Sequence, residues 1–205
     1  QLFDERKAMP PKGDLLSIMA HSETMADLDE QRFIGAIALL LVGGNDTTRN
    51  SMSGLVEQMN RFPDQWARVK ADRSLISTAA TETIRLQTPI CHMRRTVVKD
   101  TELGGKKLKA GDKVALWYHS ANRDEAVFPD GDVWDVGRSN SRRHLSFGDG
   151  IHRCLGARLA ELQLQVLIEE LLARDITVEM VGDGERIPSC FTRGYHHLPV
   201  RIRKG

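Results

Sequence analysis

Apolar positions recur at helical spacing along most of the chain, and the places where the rhythm breaks are the informative ones. Residues 1 to 13, with Pro10, Pro11 and Gly13 among charges, read as a connection, and a short helical piece follows from Asp14 to about Ala20. Asp27, with Glu30 three residues on, has the form of an N-terminal capping pair. Helical character then continues to Arg61, where Pro63 stops it. Such a helix has about 35 residues and spans on the order of 50 Å, enough to cross a whole domain. Shorter helices are predicted from Pro63 to Lys70 and from Ser74 to Leu86, the second ended by Pro89. Between His92 and Trp117 the pattern changes to short β-like runs, Arg95 to Val98 and Lys113 to Trp117, with Gly104, Gly105 and Gly111 at turns, so a small sheet is expected. Asn122 to Asp124 and Phe128 to Gly137 form an irregular stretch rich in Asp, Pro and Gly. Leu155, Leu159, Leu162, Val166, Leu167 and Leu171 restore helical spacing to near Arg174, and Ile176 to Met180 and Leu198 to Arg203 read as closing strands. The fold class is mainly α with a small β-sheet.

Two glycine-marked interruptions carry the candidate chemistry. The first is Leu41-Val-Gly-Gly-Asn-Asp-Thr-Thr48, in the middle of the long helix, where each glycine costs roughly 1 kcal/mol relative to alanine. Missing side chains let a flat cofactor or substrate lie against the backbone, and the Thr47 hydroxyl can bond back to the Gly43 carbonyl and bend the helix. That makes a groove with an alcohol in it; the plainer reading is a helix crossing at small residues.

The second is Phe147-Gly-Asp-Gly-Ile-His-Arg-Cys-Leu-Gly156. Gly148 and Gly150 permit backbone angles that other residues avoid and let the chain approach a ligand closely. Cys154 stands where the positive end of a helix favours a thiolate, which makes it a ligand or a nucleophile. A nucleophile needs a base, and His152, two residues away on a tight loop, is a poor guarantee of one. Metal ligation fits better.

Composition narrows the partners. With Lys+Arg 29 against Asp+Glu 28 the net charge is +1, and no basic block interleaved with aromatics points to nucleic acid. At 205 residues and 40% hydrophobic content the chain is long and apolar enough for a packed core. The longest apolar run, Phe33 to Val42, is half of the roughly 20 residues that cross a bilayer, so it reads as a buried helix and no membrane span is expected. Cys91, Cys154 and Cys190 are odd in number and lack CxxC spacing, which suits a reducing compartment and a cytoplasmic setting. No charged-then-apolar leader opens the sequence.

The cysteine stretch resembles the haem-binding signature of the cytochrome P-450 family, Phe-Gly-x-Gly-x-His-x-Cys-x-Gly, at Phe147, Gly148, Gly150, His152, Cys154 and Gly156. The resemblance covers nearly the whole chain. Gly44, Asn45, Asp46 and Thr47 match the distal-helix motif Gly-x-Asp/Glu-Thr, Glu82-Thr-Ile-Arg85 matches Glu-x-x-Arg, and Arg138 is the candidate third member of that buried network. It implies the C-terminal part of the family's fold, with residues 1-205 forming the C-terminal half of a single domain whose full-length members are about twice as long. It further implies a monooxygenase that inserts one oxygen atom from O2 into a C–H bond, with haem b, iron protoporphyrin IX, held by Cys154 as the proximal ligand. On it, Asp46 and Thr47 deliver protons during oxygen activation, while Arg95 and His152 bind the haem propionates. Phe147, Gly148 and Gly44 shape the cofactor's surroundings. A ferredoxin and a ferredoxin reductase using NAD(P)H are the implied electron supply, and Arg142, Arg143, Arg153 and Arg158 around the ligand loop would steer an acidic carrier. The wording Gly-Gly-Asn-Asp-Thr-Thr-Arg-Asn-Ser-Met-Ser, His-Met-Arg-Arg-Thr and Arg-Gly-Tyr is similar to the bacterial branch that hydroxylates terminal carbons of alkanes and fatty acids, although Asp149 stands where that branch has Phe.

Two other classes compete. A haem-binding sensor or electron-transfer module without oxygen activation needs Cys154 but has no use for Asp46 beside Thr47. A zinc-held interaction module would draw on Cys91, His92, His144, His152 and Cys154, of which only neighbouring pairs approach structural-zinc spacing.

Overall fold

The computed structural model describes residues 2–25 and 28–205, and the chain divides into two compact units, Gln1–Asn45 and Asp46–Gly205. In the first, α1 (Leu2–Ala8) occupies part of the stretch expected to be a mere connection. Its Phe3 ring lies 4.3 Å from that of Phe33, a long-range contact that local composition does not reveal. Helix α2 (Leu15–Ala20) starts where Asp14 accepts the Ser17 N–H at 2.8 Å, the side-chain cap that an Asp supplies best. Asp27, half of the expected capping pair, lies outside the described residues. Asp29 takes the capping role, accepting the Arg32 N–H at 2.8 Å, and α3 (Glu30–Arg61) runs for 32 residues.

Within the second unit Pro63 does more than end a helix. It occupies the first turn of α4 (Pro63–Ala71), where a missing N–H leaves nothing unsatisfied. A 3-10 turn, capped by Asp72 accepting from the Ser74 N–H at 2.9 Å, leads into α5 (Ile76–Gln87). This is the most enclosed element. All but two of its residues are buried, so its polar members must be satisfied by protein alone. It ends at Thr88, whose φ of 45° is left-handed and costly for a β-branched residue. The Thr88 hydroxyl donates to the Arg85 carbonyl at 2.6 Å and holds that turn.

Among the described residues the expected small β content takes the form of four two-stranded ladders. β1 (His92–Thr96) begins three residues earlier than its predicted run. β2 (Thr101–Leu103) and β3 (Lys106–Leu108) form a hairpin across Gly104-Gly105, both at positive φ as a two-residue hairpin turn demands. β4 (Lys113–Trp117) is antiparallel to β1, with His92 opposite Trp117, and leads into the one-turn helix α6 (Tyr118–Ala121). After the long helix α7 (Ala157–Ala173), β5 (Ile176–Met180) pairs with β8 (Val200–Lys204), and β6 (Glu185–Arg186) with β7 (Tyr195–His197).

The core joins Leu55 and Met59 of α3, Ile84 of α5, Trp134 and Val136 of the irregular stretch, and Leu164 and Ile168 of α7. Trp134 is fully buried, and its indole N–H donates to the Thr83 hydroxyl at 3.1 Å, which fixes the irregular stretch against α5. On α7 the face that packs carries Ala157, Glu161, Leu164, Ile168 and Leu171. Most of the periodic leucines singled out from the sequence lie on the other face: Leu155, Leu159, Leu162 and Val166 are exposed. The helix is apolar on two sides, and periodicity alone does not say which side is inward.

Candidate functional site

The cysteine loop is shaped by its own backbone. Gly148 and Gly150 have φ of 66° and 69°, values that a side chain would strain. Asp149 between them is extended, at φ −148° and ψ 166°, so that position accepts Asp or Phe equally on backbone grounds. The Cys154 N–H donates to the Phe147 carbonyl at 2.8 Å, closing the loop, and His152 ends a 3-10 turn over Gly150–His152. Cys154 lies three residues ahead of the first helical residue, Ala157, with Gly156 as the N-cap. Its thiol is free and exposed, flanked by Ile151 at 98% exposure and Leu155 at 86%. Apolar side chains this open beside a sulfur suit a flat apolar partner better than water.

Beneath the loop lies a buried ionic network. Glu82 and Arg85, both fully buried, form a two-pronged pair at 2.7 Å per bond, and Arg138 Nε donates to Glu82 Oε1 at 2.8 Å. The structure thus brings Arg138 to the position expected of it. Two guanidiniums face one carboxylate, and carbonyls take up the surplus donors: Arg85 donates to Asn122 at 2.5 Å and Gly131 at 2.7 Å, and Arg138 to Pro129 at 2.7 Å. Charges so deep are tolerable only when every donor is matched. The Arg85 guanidinium also lies 5.2 Å from the centre of the Phe128 ring.

Asn122, read from the sequence only as part of an irregular stretch, links this network to the loop. Its Oδ1 accepts the Leu145 N–H at 2.7 Å, and its Nδ2 donates to the Ser146 hydroxyl at 2.8 Å and the Thr88 hydroxyl at 3.0 Å. His144 is a second residue that was not singled out for this role. It is buried, its ring centre lies 5.2 Å from that of Phe147, and its Nδ1 accepts the Ser146 N–H at 3.2 Å. Burial, with the nearby Arg153 charge, pushes its pKa down to about 4, so the ring is neutral near pH 7. A histidine before a glycine loop was the available signal, but a single sequence does not distinguish it from a solvated one.

The remaining expected site residues are placed as follows. Arg95 lies on β1 opposite Val114, half-buried, and its Nη1 donates to the Arg94 carbonyl at 3.0 Å. His152 is exposed. Asp46 and Thr47 are half-buried, and the Asp46 carboxylate is held by Arg49 Nη2 at 3.2 Å, one helical turn on. Gly44 belongs to the first unit; a Cβ built there or at Gly43 meets no described atom within 4 Å, so the backbone is open at that notch. The zinc reading loses its footing, because among the described residues no three His, Cys, Asp or Glu side chains are grouped to hold a metal ion. Nor, among them, is any helix long and apolar enough to cross a membrane.

The comparisons with known proteins agree with this geometry. The family model for Cytochrome P450 matches residues 68–190, which hold the buried network and the cysteine loop. The chain belongs to the cytochrome P450 family. The solved structure of Cytochrome P450-153 from Novosphingobium aromaticivorans superposes with a TM-score of 0.93 at 52% identity, over 98% of this chain and 50% of that one. Linalool 8-monooxygenase of Pseudomonas putida is 43% identical over 201 residues, 98% of this chain and 49% of its own length. Methyl-branched lipid omega-hydroxylase of Mycobacterium bovis is 40% identical over 190 residues, 91% of this chain and 44% of its own. The chain therefore spans about half the length of the P450 relatives it matches. Membership of the P450 family implies a haem iron, and the donor set fits one: the exposed Cys154 sulfur framed by open apolar side chains, with no competing cluster of metal ligands among the described residues.

Proposed function

We propose that the chain is the C-terminal half of a single-domain monooxygenase that hydroxylates the terminal carbon of alkanes or fatty acids, using haem b and O2. The observation that carries the reading is the exposed Cys154 on a loop fixed by the buried Glu82–Arg85–Arg138 network, in a chain that also sets Asp46 beside Thr47. A thiolate-ligated haem iron supplies the electron density that favours O–O cleavage. The protein's own residues do the rest. Cys154 would hold the iron, Arg95 and His152 would bind propionates, and Phe147 and Gly148 would shape the cofactor's surroundings. The Thr47 hydroxyl would pass a proton toward the reaction centre, and Asp46, held by Arg49, would replenish it. A module that only senses or transfers electrons has no need of that pair.

Support for the terminal-carbon reading comes from the 52% identity to Cytochrome P450-153 and from the relative named as a lipid omega-hydroxylase. A ferredoxin and ferredoxin reductase fed by NAD(P)H are the proposed electron supply. The test is turnover of full-length enzyme with that chain on octane and dodecanoic acid, with products separated by regiochemistry. The 1-alcohol and the ω-hydroxy acid are expected as main products; mainly internal alcohols would refute the terminal reading, and no oxygenated product from any substrate would favour the sensor.

A further inference from the structure

A second cluster of charge sits at the C-terminal end of α5, among residues that take no part in the cysteine loop. Two guanidiniums converge there on one acceptor: Arg123 Nη2 and Arg193 Nη1 donate to the Leu86 carbonyl at 2.6 and 3.1 Å. Arg193 Nη1 also donates to the Gln87 carbonyl at 2.7 Å. Helix-end carbonyls welcome cations, which accounts for this pair of arginines. It does not account for what surrounds them. Both open onto a cavity of about 390 Å³ that Arg61, Gln58, His119 and Asp132 also line.

The charges there do not balance. Asp132 holds Arg123 at 2.8 Å, and Glu57 is shared between Arg186 at 2.6 Å and Arg61 at 3.4 Å. Arg193 has no carboxylate within ion-pair distance among the described residues, so four guanidiniums face two carboxylates. The neighbours register the surplus. Burial, reinforced by Arg123 and Arg193, pushes the His119 pKa down to about 4, and burial with Arg186 and Arg123 brings that of Arg193 down to about 10. Gln58, 1% exposed, completes the cavity wall, and its buried Oε1 has no hydrogen-bond partner among the described residues. A buried amide oxygen left so is costly, and rotation of the amide can offer either its acceptor or its donors to a ligand.

We propose that this cavity binds a small doubly charged oxyanion, held by Arg61 and Arg193 with the Gln58 amide as neutral partner. A guanidinium fork matches the oxygens of such an ion, and the surplus of two positive charges matches its charge. The inference is independent of the oxygenase reading, since it uses none of its residues. The shared chemistry is a phosphate group, which can come from the free ion or from an ester.

The test is calorimetry on full-length haem-loaded enzyme at fixed ionic strength, titrating inorganic phosphate and, separately, glycerol 2-phosphate. Saturable binding of at least one is expected, weakened tenfold or more by Arg61→Gln and by Gln58→Glu, while Arg61→Lys stays within a few-fold of wild type. The ferrous carbon monoxide spectrum serves as a check that each variant folds and holds haem. Tighter binding of the ester, or of the free ion, supports the site and names the source. Absence of saturable heat with both probes, or affinities unchanged in both charge variants, would overturn the proposal.

Discussion

Asn122 accepts the Leu145 N–H on its Oδ1 at 2.7 Å, and through that bond the end of α6 is tied to the stretch of chain that enters the cysteine loop. The same side chain donates to Ser146 and Thr88, so one amide joins two segments to its own. Asn122→Ala is expected to lower stability by about 1–3 kcal/mol, because a buried N–H and two hydroxyls lose partners at once. Urea unfolding of full-length protein checks the cost, and haem loss to an apoprotein acceptor should accelerate in parallel. An unchanged midpoint would mean that water replaces the amide freely.

His144 makes stability depend on pH in the acid range. Its folded pKa of about 4 lies below the ordinary 6.5, so between these values the unfolded chain binds a proton that the folded chain refuses. Stability from this group is full above pH 6.5 and is lost as pH falls toward 4, by roughly 3 kcal/mol in total. His119, with a pKa also near 4, acts in the same direction. Replacing His144 with Asn, which can still accept from Ser146, should flatten part of the fall in melting temperature between pH 6.5 and 4.5. An identical slope in the variant would assign the dependence elsewhere.

Much of this was legible in the sequence because certain signals are nearly context-free. The glycine spacing around Cys154 and the Glu82-Thr-Ile-Arg85 spacing each specify a local geometry, and the structure adds Arg138 where the resemblance put it. What was not legible depends on contacts distant in sequence. Phe3 on Phe33 turns an apparent linker into a helix, and a two-residue glycine turn hides a hairpin whose strands are three residues each. Asn122 looked like loop because its partners lie 23 to 37 residues away. The inward face of α7 was not legible from periodicity, because Ala157 and Glu161 pack there beside Leu164, Ile168 and Leu171 while Leu159 and Leu162 stay open.

If Thr47 passes the proton as proposed, Thr47→Ala should preserve haem and substrate binding in full-length enzyme while diverting reducing equivalents to peroxide. Product formed per NAD(P)H consumed is the measurement, and a severalfold fall is expected. An unchanged ratio would remove Thr47 from the proton path.

The arginines around the loop are not equivalent. Arg142 and Arg158 both lean on Glu161, at 3.2 and 3.1 Å, whereas Arg143 and Arg153 have no ion-pair partner among the described residues. An acidic electron carrier would be steered by the second pair. Arg143→Glu with Arg153→Glu should lower ferredoxin-driven turnover tenfold or more and reduce its salt sensitivity, leaving peroxide-driven turnover intact. Equal loss of both activities would place these arginines in haem binding or folding instead.

The exposed Cys154 sulfur is the proposed iron ligand, and the reduced carbon monoxide spectrum of full-length enzyme tests that assignment most directly. Wild type should show the strongly red-shifted band that thiolate donation produces, and Cys154→Ala should lose it even where haem is retained or restored by added imidazole. Persistence of the red-shifted band in Cys154→Ala would contradict the assignment.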